Sequence, residues 1–222
     1  MTEQQTLAPA SAAPARRGRP EWLIPAGLIV LSLVPVIAGG FRIAELASGP
    51  VVTEANARFV HSPIPVIAHV IGATTYLLLG ALQFMPSLRR VRWHRIAGRI
   101  LVPAGLIAAF SGMWMGVFYT RPVFDMVVRL VAGTLMATFI LLGLRAVLRR
   151  DIATHRRWMI RGYAVGIGAG TQVFTALVFL LVSGGATADA NTTVLLLIAG
   201  WVINLCVAEV AIRRSAPRRS VR

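Results

Sequence analysis

Four histidines carry most of the chemistry this chain could do: His61, His69, His94 and His155. His69 lies inside an apolar block, where an ionisable side chain is costly and is a functional candidate by default. It stands about six residues into that block, so roughly 9 Å below its boundary at a helical rise of 1.5 Å per residue. Its helical face continues through Gly72, Tyr76, Gly80 and Gln83 in steps of three or four, a polar and small-residue stripe. Two readings stand side by side. A neutral imidazole hydrogen-bonds a neighbouring helix, or it touches a cofactor or substrate.

His94 and His155 sit in two similar arginine-rich segments, RRVRWHRIAGR and RRDIATHRRWMIR, each just before an apolar block. Each heads a row of glycines on one helix face: Gly98, Gly105, Gly112 and Gly116 from His94, and Gly162, Gly166 and Gly170 from His155. Such rows let another body approach the backbone closely. Helix–helix packing is the plain reading; a flat wall for a planar cofactor, haem b or a quinone, is the functional one. Two facing histidines could then be axial iron ligands, the only metal chemistry the residues suggest. Arg95, Arg99, Arg156 and Arg161 would pair with the cofactor's anionic groups, against a competing reading as contacts to lipid headgroups. His69 would serve a second site.

The remaining candidates are weaker. His61 reads as a surface histidine; eight residues from His69, it is about 12 Å away along a helix and cannot share a small metal ion with it. Met113 and Met115 could face His69 as haem ligands, but methionines in a span more often fill space. Glu209 precedes Arg213 by four residues, which suggests an ion pair along one helix. Asn204 needs a partner on another helix, and Cys206 reads as an inert buried thiol. There is no phosphate loop, no H-E-x-x-H and no credible Ser–His–Asp set.

The elements that must position these residues are membrane spans. The chain has 222 residues, 56% hydrophobic and 14% charged, where a soluble domain carries about 25% charged residues. The apolar residues fall into six blocks: Trp22–Gly40, Pro63–Met85, Ile100–Tyr119, Met126–Leu148, Gly162–Ser183 and Thr193–Ile212. Each is near the ~20 residues that cross ~30 Å of hydrocarbon. The expected fold is an all-α polytopic membrane bundle of six spans. A disordered basic tail over 1–21 precedes the six-span domain, 22–212, and a basic tail over 213–222 follows it. A short helix is expected around Glu54–Phe59, in the longest connection.

All 23 basic residues are arginines, and the net charge is +15. Placing both termini on the cytoplasmic side puts 19 arginines inside and 4 outside, the asymmetry of a cytoplasmic-membrane protein. The acidic residues divide evenly between the sides, so the whole net charge faces the anionic headgroups of that leaflet. The expected partner is therefore the lipid bilayer and not nucleic acid.

The His94 and His155 segments, 61 residues apart, form a weak internal repeat. Two such hairpins side by side would make a four-helix core with the first and last spans at its flank. The chain also resembles a family of bacterial predicted membrane proteins, domain of unknown function 2306. The resemblance rests on His69, GALQFMPSLRR, HRIAGR at His94–Arg99, HRRWMIRGYA at His155–Ala164, and W-x-x-N-x-x-x-x-E from Trp201 to Glu209. It implies a fold and a membrane location and no established activity. Three functions follow as expectations: a haem- or quinone-binding redox protein, with an electron-transfer or other membrane partner; a non-enzymatic scaffold; or a carrier of a neutral, lipid-like molecule. Pockets at the histidines would favour the first. A dry bundle would favour the second. A cavity near His69, Tyr76 and Asn204 would favour the third.

Overall fold

The computed structural model describes residues 20–89, 91–119 and 122–215. Among them are nine helices and no strand: α1 Leu23–Ala47, α2 Ala57–His61, α3 Pro63–Leu82, α4 Pro86–Arg89, α5 Arg92–Phe118, α6 Val123–Leu148, α7 Ile152–Gly166, α8 Gly168–Val182 and α9 Ala190–Arg214. Five are long and apolar enough to cross a membrane, and α7 with α8 form a pair bent by 47° that makes a sixth if it is one broken span and not a re-entrant loop. Residues 1–19 and 216–222, most of the two expected tails, lie outside the described residues.

Helix ends overrun the apolar blocks where polar residues can be satisfied. α1 continues past Gly40 to Ala47, and its last turns carry the Arg42–Glu45 ion pair. α5 starts eight residues before the expected span and α7 ten before, so His94 and His155 both lie in the first turn of a helix. Asp151 caps α7 by accepting from the Thr154 N–H at 2.9 Å, and that bond holds its carboxyl below the usual range. The short helix of the long connection begins at Ala57, not Glu54. Asn56 Oδ1 accepts from the Thr53 N–H at 2.7 Å, and its amide donates to the Val51 carbonyl at 3.0 Å. A local side-chain turn there outcompetes helix.

The buried core is built from α3, α5, α6 and α7, as the repeat predicts, with α1 and α9 packed on its flank. Its centre is the Tyr76 ring. A methyl group placed on Gly105 would come 2.7 Å from that ring, and one on Gly166 would come 2.9 Å from it. The ring thus fills the slot that two glycines, on α5 and α7, leave open. Tyr163 closes the layer beneath, donating from its hydroxyl to the Leu77 carbonyl at 2.9 Å with its ring edge-on to Phe84. Outside this core, Ile64, Ile71, Leu181, Val182 and Val207 are more than half exposed, which suits a surface solvated by lipid.

At the bend between α7 and α8, α9 adds donors to carbonyls in the last turn of α7, where Val165 already accepts a backbone N–H. Trp201 Nε1 donates to the Val165 carbonyl at 3.0 Å, and Asn204 Nδ2 donates to the Ala164 carbonyl at 3.2 Å. Asn204 Oδ1 accepts from Thr171 at 2.8 Å, which meets its expected need for an interhelical partner. Gly168 makes room for the Trp201 indole, and Gly170 for the Leu31 backbone of α1.

These contacts separate two glycines of the rows. Gly170→Ala drives a methyl group into the Leu31 carbonyl, while Gly98 has nothing within 4 Å of where a methyl would stand. Gly170→Ala should lower stability by about 1–3 kcal/mol, the usual cost of overpacking. Gly98→Ala should be neutral or raise it by up to about 1 kcal/mol through helix propensity. Unfolding midpoints of the two variants in one detergent check this, and equal shifts would contradict the packing described.

Candidate functional site

Where α7 turns away from α8, a chamber of about 230 Å³ opens between the helices. Its wall is largely apolar, with Val36 from α1, Ala109 from α5, Met136 from α6, Gly166 at the bend and Trp201 from α9. The polar groups on it are His69, Thr74, Arg129 and Gln172, and the Tyr76 ring forms part of its boundary.

His69 is held by α5. Its Nδ1 stands 2.9 Å from the Ala108 carbonyl and 3.3 Å from the Ser111 hydroxyl. A carbonyl only accepts, so Nδ1 carries the proton and the neutral ring keeps its lone pair on Nε2. Gly112 leaves the ring its space; a methyl there would come 3.2 Å from Cε1. The interhelical bond expected of His69 is thus made through one nitrogen, while the side chain still lines a chamber. Arg129 donates from Nε to Asp125 at 2.7 Å, an ion pair between consecutive turns of α6 with its carboxylate buried.

The second group of residues gathers at the arginine-rich end, where α3, α4, α5 and α7 meet. His155 Nδ1 bonds the Gly143 carbonyl of α6 at 2.8 Å. His94 is half-buried, with its Nδ1 shut from solvent and without a partner. The two histidines stand within electrostatic reach of each other, and Arg89 stands within reach of His94. Arg89 donates from Nε to the Gln83 carbonyl and from Nη2 to the Phe84 carbonyl, both at 3.0 Å, which caps α3. Burial, and then the neighbouring Arg156 charge, pulls the Arg89 pKa down. The Gln83 side chain is buried with neither polar atom bonded.

The other candidates divide. Arg156 is exposed like Arg95 and Arg99, but it stands within electrostatic reach of Arg89. Arg161 is engaged: Nε and Nη2 grip Glu209 of α9 at 2.5 and 3.0 Å, and its guanidinium stacks over Trp158. The expected Glu209–Arg213 pair therefore gives way to an interhelical one, because Arg161 offers two parallel donors where Arg213 offers only proximity. Much of the glycine rows is filled by the protein's own side chains, with Tyr76 at Gly105, Gly162 and Gly166 and His69 at Gly112. Met113 packs on Gly133 and accepts from Thr134 at 3.5 Å. Cys206 is exposed on α9 instead of buried, and His61 is a surface residue at the end of α2.

Arg89, Arg129 and Gln172 were not singled out from sequence. Asp125 and Arg129 do carry a signal, since a carboxylate four residues before an arginine at the start of an apolar block reads as an ion pair. Tyr76 gives a test of the packing. Its hydroxyl is buried without a partner, a burden of about 1–3 kcal/mol. Tyr76→Phe should leave the unfolding midpoint unchanged or raise it. A clear fall would show that the hydroxyl is bonded to something held in the chamber.

No curated protein matches the chain, and no solved structure does. A family model described as a predicted membrane protein (DUF2306) matches residues 66–212. That stretch holds His69, the chamber's α3–α9 wall, both histidine segments and the Trp201–Asn204–Glu209 face of α9. The chain therefore belongs to the DUF2306 family of predicted membrane proteins.

Proposed function

We propose that this membrane protein binds a small, largely apolar, ring-bearing molecule with one hydroxyl or carbonyl, of the quinone and quinol class, in the chamber beside His69. One observation carries the reading: His69 is fixed through Nδ1 and lines the chamber, and its Nε2 makes no hydrogen bond among the described residues. That nitrogen accepts a hydrogen bond from a ligand hydroxyl. The size agrees. An apolar cavity of about 150 Å³ holds benzene, so the 230 Å³ here takes one substituted ring.

The alternatives receive less support. Both ends of the haem arrangement are present in His94 and His155, but Tyr76 occupies the glycine slot a planar group would use. A carrier built around His69, Tyr76 and Asn204 loses Asn204 to Thr171 and Ala164. A pure scaffold accounts for the packed glycines and leaves the chamber without a role. Six spans with the arginine-rich end in the cytoplasm, in a bacterial cytoplasmic membrane, complete the proposal. A redox role would add an electron-transfer partner.

Trp201 borders the chamber, so its fluorescence reports on occupancy. Titrating the detergent-purified protein with a short-chain benzoquinone, and separately with its hydroquinone, should give saturable quenching. His69→Ala should weaken hydroquinone binding by about three- to tenfold, the worth of one hydrogen bond, and affect the quinone less. Quenching that never saturates, or that is indifferent to His69, would overturn the reading. An absorption spectrum of the same sample, oxidised and then dithionite-reduced, decides the haem alternative. A Soret band that weakens in His94→Ala would replace the quinone with haem.

A further inference from the structure

The cluster at the arginine-rich end plays no part in the chamber. Arg89, His94, His155 and Arg156 form a group of cationic or cationisable side chains beside the buried Gln83 amide. None of the acids described at this end neutralises it. Glu21 accepts from the Ser87 N–H at 3.1 Å, Asp151 caps α7 at Thr154, and Glu209 is gripped by Arg161. Three polar atoms are also shut from solvent with no partner among the described residues: Gln83 Nε2, Gln83 Oε1 and His94 Nδ1. Buried polar groups are normally bonded, so three orphans at this end need an explanation.

Two of these side chains are anchored by backbone carbonyls. Arg89 is pinned by the two carbonyls it caps. That uses two of its five N–H donors and leaves three. His155 is likewise fixed through Nδ1 on the Gly143 carbonyl. We infer that Gln83, Arg89, His94, His155 and Arg156 bind a phosphate-type oxyanion at the membrane boundary. Their N–H donors are carried by α4, α5, α7 and the Gln83 turn that follows α3, a set suited to a tetrahedral group with three or four acceptor oxygens. The feet of the spans lie where lipid phosphates lie, so a phospholipid headgroup and a free phosphate are the two sources. The inference does not rest on the chamber reading.

Delipidated full-length protein in a neutral detergent tests it, with thermal midpoints followed during titration. One arm uses dihexanoyl-phosphatidylglycerol below its micelle concentration, and the other inorganic phosphate. A saturable rise with the lipid alone identifies the headgroup as the source; a rise with both identifies a general phosphate seat. Arg156→Gln and Gln83→Leu should each weaken the effective probe about tenfold, while Arg214→Gln, an equal charge change on α9, should leave it unchanged. Gln83→Leu removes an amide with no partner in the protein, so it keeps the test decisive if Arg156→Gln folds poorly. No rise with either probe overturns the inference. So does a rise that falls equally in all three variants, which would mark diffuse charge attraction.

Discussion

Hydrocarbon offers no hydrogen bonds, so any break in a spanning helix must be satisfied by the protein itself. The interruption at Gly166–Gly168 is the point where this constraint bears hardest. Beside it α9 adds donors to the Ala164 and Val165 carbonyls through Asn204 and Trp201, one turn apart on a single face. The same two residues thereby fix α9 against α7. Thr171 and Asn204 extend the seam past the bend, and Arg161 with Glu209 closes its other end. The W-x-x-N-x-x-x-x-E spacing is thus a set of partners for a bent span, placed at steps of three and five. The chamber follows from it. Once α8 swings away by 47°, its first turns and α9 wall off space that a straight helix would have filled.

The rest of the bundle is held by shape. Lipid tails are as apolar as leucine, so helices in a membrane associate through close contact more than through burial. Glycine supplies that contact in two ways. Gly72 lets α3 lie against the α5 backbone, where a methyl would come 2.8 Å from the Ala104 carbonyl oxygen. Gly105, Gly162 and Gly166 instead receive the Tyr76 side chain. This ring crosses from α3 into the α5–α7 interface, beside His69 on its own helix. The residue that locks the core therefore also bounds the chamber, which couples occupancy of the chamber to packing of the core.

Much of this is written plainly in the chain. Apolar blocks of span length match five long apolar helices and the bent α7–α8 pair, and the repeated His94 and His155 segments match the core of α3, α5, α6 and α7. Periodicity is a local property of a helix, so the stripe from His69 through Gly72, Tyr76 and Gly80 could be read before any partner was known. What those positions meet depends on side chains far along the sequence. Nothing near Gly105 announces a tyrosine from α3, and nothing near Glu209 announces Arg161 from 48 residues away. The bend escaped notice for a related reason. Gly166 reads as a member of the packing row Gly162, Gly166 and Gly170, and the Gly-rich run from Gly162 to Gln172 is less apolar than the stretch after it. Arg89 was hidden among neighbouring arginines, since only hydrogen bonds to Gln83 and Phe84 distinguish a fixed guanidinium from a solvated one.

The two polar regions differ in the charge their surroundings permit. The chamber lies among spans, where the favourable state of an imidazole is neutral; the role proposed for His69 there rests on a lone pair, and the Asp125–Arg129 ion pair stands on the neighbouring helix. The cluster around Arg89 lies at the foot of the helices, within reach of water and headgroups, where cations persist and attract anions. Its described acids are all spent on helix termini or on Arg161, so the charge left over is positive and local. A neutral acceptor within the bundle and a cationic seat at its edge are matched to different parts of an amphiphile. The first suits a ring in the hydrocarbon and the second a phosphate at the interface. Their separation along α3, from His69 to Gln83, is fourteen residues, or about 21 Å at 1.5 Å per residue. That is longer than one small ring-bearing molecule, so the ligand proposed for the chamber does not reach the proposed seat.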